Sequence, residues 1–478
     1  MNIPILGFGC YRIDHRVVDH RNALHKAIEE GITLIDTSAN YTDGNSELLV
    51  GEVINEMISD KKIKRDEITL VTKAGYIQGS NYKHAIAKKE AGDPFQDVVE
   101  YAERLWHCIH PDFLQDQLDK QLKRLNADYI DAYLLHNPEY YLGWAKKEGL
   151  KKEEADNEYY RRIKDAFRFL EDKVKEGKIR FYGISSNTFP SYSQQYDHTS
   201  LEKVIKIANA VSPTNHFKFI QLPFNFFESG AVLNKNQFNN TKTVLDVAYE
   251  NSIKVLINRP LNAITSKGLW RMADHELNAY SEKDFIKQLK LVTLMEEDLL
   301  EEKINSDESI SEQDRENMKN YLNSGKMIEE NWKFFGTLEH LNDSIEQFFA
   351  PKINYLTVFF SEKVEDENTK HFFEKYLKEL YQLLNYLTTY YRISANERSK
   401  FIHNIFNEFT DEEFHSLTLS QKAILTIASV KGVDCVLVGA RKEKYITDII
   451  KVLKMKKPDN DTAVKILNKI NLEINSRI

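Results

Sequence analysis

The stretch Leu125-Asn126-Ala127-Asp128-Tyr129-Ile130-Asp131-Ala132-Tyr133-Leu134-Leu135-His136 brings an amphipathic helix to a stop and starts an apolar strand three residues later. Asn tolerates the left-handed conformation that ends a helix. A near-continuous apolar run is what a parallel strand covered on both faces requires. The same punctuation recurs at Glu30-Gly31 before the run 32–35 and at Glu176-Gly177 before 179–184. It returns at Glu250-Asn251 before 253–257 and at Lys431-Gly432 before 433–438. Further apolar runs at 5–9, 68–72 and 217–222 fill the gaps. Helix, stop and strand repeated in this way define βα units.

Eight such units favour an α/β fold closed as a (β/α)8 TIM barrel over an open doubly wound sheet. Two stretches interrupt the rhythm. Residues 76–111 place a polar segment between the third strand and its helix. Residues 270–417 separate the seventh strand from the eighth. The second interruption is helical by period: Phe285, Leu289, Val292, Met295 and Leu299 repeat at helical spacing, as do Phe373, Leu377, Leu380, Leu384 and Leu387. Between them, 301–319 is charged and Ser-rich and reads as a solvated helix or loop. A barrel needs about 250 residues. The expected organisation is therefore a barrel from 1–269 and 418–455, a long helical insertion over 270–417, and a C-terminal helix or tail over 456–478.

Composition narrows the function. The 478 residues carry 65 Lys and Arg against 73 Asp and Glu, a net charge of −8, which argues against nucleic acid or an anionic membrane as the main partner. Cys10, Cys108 and Cys435 are too far apart for a disulfide framework or a zinc motif and suit a reducing compartment. Met1-Asn2-Ile3-Pro4 lacks the basic start of a signal peptide, and no window is long and apolar enough to span a bilayer. A cytoplasmic protein is expected.

In a barrel of this type, reactive side chains sit where strands end at the C-terminal face. The second strand runs into Asp36-Thr37-Ser38-Ala39-Asn40-Tyr41, the third into Thr72-Lys73, the fourth into His136-Asn137. Asp36, Tyr41, Lys73 and His136 thus converge from neighbouring strands. A tyrosine with a reference pKa near 10 is a sluggish proton donor, and an ammonium beside it lowers that value. Asp36 would keep Lys73 charged, and His136 would donate to a carbonyl oxygen. Together they suit protonation of an oxyanion formed at a carbonyl carbon. Taken singly, His136 reads as a structural histidine, Tyr41 as a buried aromatic and Asp36 as a turn cap. Gly44-Asn45-Ser46-Glu47 reads as a turn and helix start. His107, Cys108 and His110 have metal-like spacing but no fourth ligand.

With these residues in order, the chain resembles the aldo-keto reductase superfamily. The resembling stretches include Leu6-Gly7-Phe8-Gly9, Ile35-Asp36-Thr37-Ser38-Ala39-Asn40-Tyr41, Gly44-Asn45-Ser46-Glu47, Thr72-Lys73, and Asp128 through His136. Later come Gly183-Ile184-Ser185-Ser186, Gln221-Leu222-Pro223, Arg259-Pro260-Leu261 and Val438-Gly439-Ala440-Arg441. The resemblance covers roughly 1–270 and 418–455. It implies an NADP(H)-dependent oxidoreductase acting on a small carbonyl or the matching alcohol, with Tyr41 as general acid. It also implies that Ser185 and Gln221 hold the cofactor carboxamide, with Ser186, Asn258 and Arg259 nearby, and that Leu261 and Gly439 lie along the cofactor. Arg441, Tyr445 and Asp448 would surround the adenosine end, Arg441 facing a 2′-phosphate. Asn258 stands where many relatives carry a stacking aromatic, Ser186 where an Asn is common, and Ile449 where another Asn is common.

Two other readings compete. The barrel could bind NADP(H) as a sensor or assembly subunit that presents its helical insertion to a partner. Alternatively, Lys73 could form a Schiff base, although pairing with Asp36 makes it a poor amine nucleophile. The expected mouth is aromatic, drawn from Phe224, Phe226, Phe227, Tyr140 and Tyr141. The sequence leaves the substrate, the direction of reaction and the oligomeric state open.

Overall fold

In the computed structural model, which describes residues 3–265 and 268–477, eight parallel strands close into a barrel. The reading of Met1-Asn2 and the last residue of the tail lie outside the described residues. The strands are β1 (Leu6–Gly9), β2 (Leu34–Asp36), β3 (Thr69–Ala74), β4 (Ile130–His136), β5 (Ile179–Ser185), β6 (Phe217–Pro223), β7 (Lys254–Asn258) and β8 (Cys435–Val438). β1 pairs with β8 on one side and β2 on the other, which closes the ring. The helices that wrap it are α1 (Val18–Glu29), α2 (Asn45–Ser59), α3 (Pro111–Leu125), α4 (Lys152–Lys175), α5 (Leu201–Val211), α6 (Val244–Glu250), α7 (Leu419–Ser429) and α8 (Glu443–Ile449).

The helix stops behave as their chemistry dictates. Gly31, Asn126, Gly177 and Gly432 all take positive φ just after a helix. The exception follows α6, where Asn251 keeps a φ of −99° and Ser252 takes the left-handed turn at 54°. Asn251 instead donates its amide to the Val247 carbonyl at 2.8 Å. A side chain that caps the last turn does not also need to reverse the chain.

Leu34, Val71, Ala132, Leu134, Phe219, Leu256, Cys435 and Leu437 fill the barrel interior. Each fully buried Leu or Phe contributes about 2 kcal/mol. Gly183 makes room for this packing: a Cβ there would collide with the Phe219 carbonyl, beside the register shift between β5 and β6. Register also sets the site. His136 pairs with Ser185 and Ser185 with Gln221, so these three stand level, while β6 and β7 run on together for two more residues to Pro223 and Asn258.

Residues 76–111 are more ordered than a polar connector. They hold a helix (Gly79–Glu90) and an antiparallel sheet of Tyr76–Ile77, Val99–Ala102 and Leu105–His107. A small core of Ile77, Ala85, Phe95, Trp106, Cys108 and Phe113 holds them together.

The chain divides into two compact units, 1–261 with 405–478, and 262–404. The second opens with a hairpin, Asn262–Thr265 against Gly268–Arg271, and is otherwise helical. Its core contains Phe285, Leu289, Val292, Met295 and Leu299 together with Phe373, Leu380, Leu384 and Leu387, with Leu377 packed at the edge. The charged stretch forms a short π-helical turn (Leu299–Ile304) and a helix (Glu312–Tyr321). No helix among the described residues is long and apolar enough to cross a membrane.

Gly183→Ala should lower stability by about 2 kcal/mol through overpacking against backbone that cannot move aside. A urea melt that leaves the midpoint unchanged would show the barrel wall to be more yielding than this packing implies.

Candidate active site

Lys73, near the end of β3, has no exposed surface. A buried ammonium requires a partner for each of its three N–H groups. Its Nζ donates to Asp36 Oδ2 at 2.8 Å, to the Thr37 carbonyl at 2.7 Å and to the Tyr41 hydroxyl oxygen at 3.3 Å. Burial opposes its charge, but Asp36 and Tyr41 outweigh burial, and the Lys73 pKa stays above its ordinary value. Asp36 is anchored from the other side, accepting from Gln221 Nε2 at 2.8 Å.

Tyr41 opens a short helical turn, Tyr41–Gly44, in which Thr42 and Asp43 take φ of 47° and 55°. Positive φ is uncommon for a β-branched residue, so this turn is held from outside. Thr42 Oγ1 donates to the Ile13 carbonyl at 2.8 Å, and Asp43 accepts from Ser80 N at 2.9 Å. The sequence anticipates a phenol lowered by Lys73. Instead burial pushes Tyr41 up to about 12, with Lys73 opposing. The phenol is therefore neutral and carries the proton it would donate.

His136 ends β4. Burial, with the positive charge of Lys73, holds its pKa well below the ordinary histidine value, so the ring is neutral. Its Nδ1 lies 3.0 Å from Ser38 Oγ, and its ring stands edge-on to Tyr41 at 5.9 Å between centroids.

His107, whose spacing resembles a metal ligand's, bonds to backbone instead. Its Nε2 lies 2.7 Å from the His136 carbonyl, which can only accept, so Nε2 carries the hydrogen. No cluster of metal-ligating side chains occurs among the described residues. The antiparallel sheet delivers His107 here together with Tyr76, whose ring meets His136 edge-on at 4.7 Å. Tyr140 stacks on His107 at 14°, and Tyr11 meets Tyr41 edge-on. The rings gathered beside Tyr41 and His136 are thus Tyr11, Tyr76 and Tyr140, the last of them among the expected set. Phe224, Phe226 and Tyr141 are buried in the packing. Nothing in the local sequence signals this, because the sheet that folds Tyr76 and His107 back is a long-range arrangement.

Beyond Gln221 the hydrogen bonds continue. Ser185 Oγ donates to Gln221 Oε1 at 3.2 Å, and Asn258 Nδ2 approaches the same oxygen at 3.4 Å. Asn258 Oδ1 is buried with no hydrogen-bond partner among the described residues. Ser186 turns elsewhere, into a buried hydroxyl cluster with Thr188 and Thr199. Arg259, at φ 52°, pairs with Glu228 at 2.6 Å. Leu261 is half-buried, and Gly439 lies against the Gly9 carbonyl. Arg441 and Tyr445 are exposed, and Arg441 makes no ion pair among the described residues. Asp448 is occupied, accepting from Gln421 Nε2 at 2.9 Å and from Thr418 and Ser420. Asp36, Tyr41, Lys73 and His136 thus form one cluster, joined through Gln221 to Ser185 and Asn258, while Ser186 and Asp448 are committed to other partners. Glu47, read as a helix-start residue, is fully buried and ties α2 to Thr72, Gln121 and Arg124.

The aldo/keto reductase family profile matches residues 6–263, and the chain belongs to that family. Among curated relatives, an NADPH-dependent D-xylose reductase of Meyerozyma guilliermondii is 29% identical over 228 residues, 46% of this chain and 59% of that protein. An NADPH-dependent aldose reductase of Saccharomyces cerevisiae is 28% identical over 197 residues, 39% of this chain and 49% of that protein. The chain therefore spans between half and three fifths of the length of these two relatives. The holo form of an aldo-keto reductase from Bacillus halodurans aligns over 98% of this chain and 92% of its own, at 14% identity and a TM-score of 0.46.

Burial takes the His107 pKa down to about 4. As pH falls below 6.5, the unfolded chain binds a proton that folded His107 refuses, so stability drops toward pH 4. Between pH 7 and 5, His107→Gln should reduce that loss by about 2 kcal/mol relative to the unaltered chain. Urea melts at the two pH values check this, and parallel acid limbs would contradict it.

Proposed function

We propose that this protein is an NADP(H)-dependent oxidoreductase that interconverts a small-molecule aldehyde or ketone and the corresponding alcohol. The observation that carries the reading is the buried Lys73, bonded at once to Asp36 and to the hydroxyl of Tyr41. The names of the relatives support it, since both are NADPH-dependent reductases.

The residues present fit the cofactor. Asn258 Oδ1 is a buried acceptor without a donor among the described residues, and it sits beside Ser185 and Gln221, which bear the groups a carboxamide pairs with. Arg441 is an exposed guanidinium suited to a phosphate fork. NADP(H), when bound, supplies the hydride. The protein's own residues do the rest. Tyr41, a neutral phenol, donates its proton to the carbonyl oxygen as negative charge develops there. Lys73 already donates to that phenol oxygen and stabilises the phenolate left behind. Asp36 keeps Lys73 an ammonium, and the neutral His136 orients the carbonyl through a hydrogen bond. Because all three Lys73 donors are engaged and the amine stays charged, the Schiff-base reading is disfavoured.

A second reading, an NADP(H)-binding sensor or assembly subunit, draws on one observation. Residues 262–404 form a compact unit with its own core, and the family match ends at residue 263. The three cysteines are free and buried, which suits the reducing cytoplasm.

Tyr41→Phe should cut turnover about 1000-fold, within the range of a lost general acid. NADPH binding, followed by nicotinamide fluorescence, should survive. Unchanged turnover would remove Tyr41 from the mechanism. Arg441→Gln should weaken NADPH about 30-fold and leave NADH nearly unaffected, since a charged hydrogen bond to phosphate is lost only for the former. Equal losses for both would place Arg441 away from the 2′-phosphate.

A further inference from the structure

Ser38 is fully buried between Asp36 and Tyr41, and the mechanism above does not use it. Its hydroxyl has one proton and three acceptors within reach: Asn40 Oδ1 at 2.8 Å, the Lys73 carbonyl at 3.2 Å and His136 Nδ1 at 3.0 Å. The Lys73 carbonyl is already served, accepting from Ala39 N at 3.1 Å and from Gln121 Nε2 at 3.1 Å. Asn40 is only half-buried, so water can serve its Oδ1. His136 Nδ1 has no other partner among the described residues, and a buried ring nitrogen left unpaired is costly.

A neutral imidazole carries one hydrogen, and the bond made at one nitrogen fixes what the other can do. If Ser38 donates to Nδ1, the hydrogen must be on Nε2. If the ring hydrogen is on Nδ1, Ser38 accepts it, and Nε2 is left with a lone pair that repels a carbonyl oxygen. The neighbourhood of Tyr41 discriminates. The Tyr41 oxygen accepts from Lys73, and its O–H remains to be donated. With the hydrogen on Nε2, the ring presents no lone pair to draw off that proton, and it stands edge-on to Tyr41 at 80°.

We propose that Ser38 is a positioning residue that sets the tautomer of His136: its hydroxyl donates to Nδ1, so that Nε2 carries the hydrogen offered to a substrate carbonyl. The benefit to catalysis rests on the oxidoreductase reading above, but the tautomer itself is a property of the protein without substrate. Ser38 acts through His136 and does not touch the reacting atoms. The same bond restrains ring rotation, so the donor is oriented before a carbonyl arrives.

The test uses the full chain with ¹⁵N-labelled histidine and long-range ¹⁵N–¹H correlation spectra, the His136 signals being assigned by their loss in His136→Gln. The unaltered protein should show a protonated Nε2 and an unprotonated Nδ1 at His136. Ser38→Ala should move the ring to a mixture of tautomers, and Ser38→Thr, which keeps the hydroxyl, should restore the original pattern. With a reducible aldehyde and NADPH, Ser38→Ala should lower kcat about tenfold, the size of one buried hydrogen bond, with NADPH affinity unchanged and Ser38→Thr recovering turnover. A hydrogen on Nδ1 in the unaltered protein, or the original tautomer persisting in Ser38→Ala, overturns the proposal. If no aldehyde is turned over by any form, the oxidoreductase reading fails while the spectra still decide the role of Ser38.

Discussion

A lysine ammonium placed where water cannot reach it is the constraint around which the rest of the barrel end is organised. The desolvation of such a charge amounts to several kcal/mol. It is tolerated at Lys73 because each N–H finds an acceptor, one of them a carboxylate. Those acceptors in turn restrict the chain that supplies them. Asp36 must end β2 pointing inward, Thr37 must turn its carbonyl toward Nζ, and Tyr41 must return to the same point after a four-residue excursion. The left-handed residues Thr42 and Asp43 then turn the chain from Tyr41 into α2.

The second layer transmits the same requirement outward. Gln221 donates to Asp36 and accepts from Ser185, so a side chain on β6 reports the position of a carboxylate on β2 to the end of β5. His107 holds the His136 carbonyl while Ser38 holds its ring. Backbone and side chain of one residue are thus fixed by two different segments. Only donors and acceptors in complementary supply give such a network, and at its edge Asn258 Oδ1 has no partner among the described residues.

The strands and their order were legible because parallel strands leave near-continuous apolar runs and helix ends leave Gly or Asn. The cluster of Asp36, Tyr41, Lys73 and His136 was legible because the strand ends at one rim of a barrel converge, and Asp36, Lys73 and His136 each lie at one. What stayed hidden depended on contacts distant in sequence. Tyr76 and His107 sit in a stretch with no strong periodicity, and only the antiparallel sheet folds them over His136. Ser186 and Asp448 carry suitable groups at suitable places, but the structure spends those groups on Thr199 and on the start of α7. The net rise of the Tyr41 pKa was equally invisible, since the ammonium can be read from sequence while the depth of burial cannot.

The ring closes between the first strand and the last, and this has a consequence for how the molecule is made. β7 ends at Asn258 and β8 begins at Cys435. On a ribosome adding 5–20 residues per second, the intervening chain takes roughly ten to thirty seconds to emerge. Throughout that interval β1 and β7 are raw sheet edges with unclaimed amides, the kind of surface that recruits foreign strands. A nascent chain of this protein therefore waits with an open seam, and chaperone demand should concentrate on that waiting period rather than on the finished barrel.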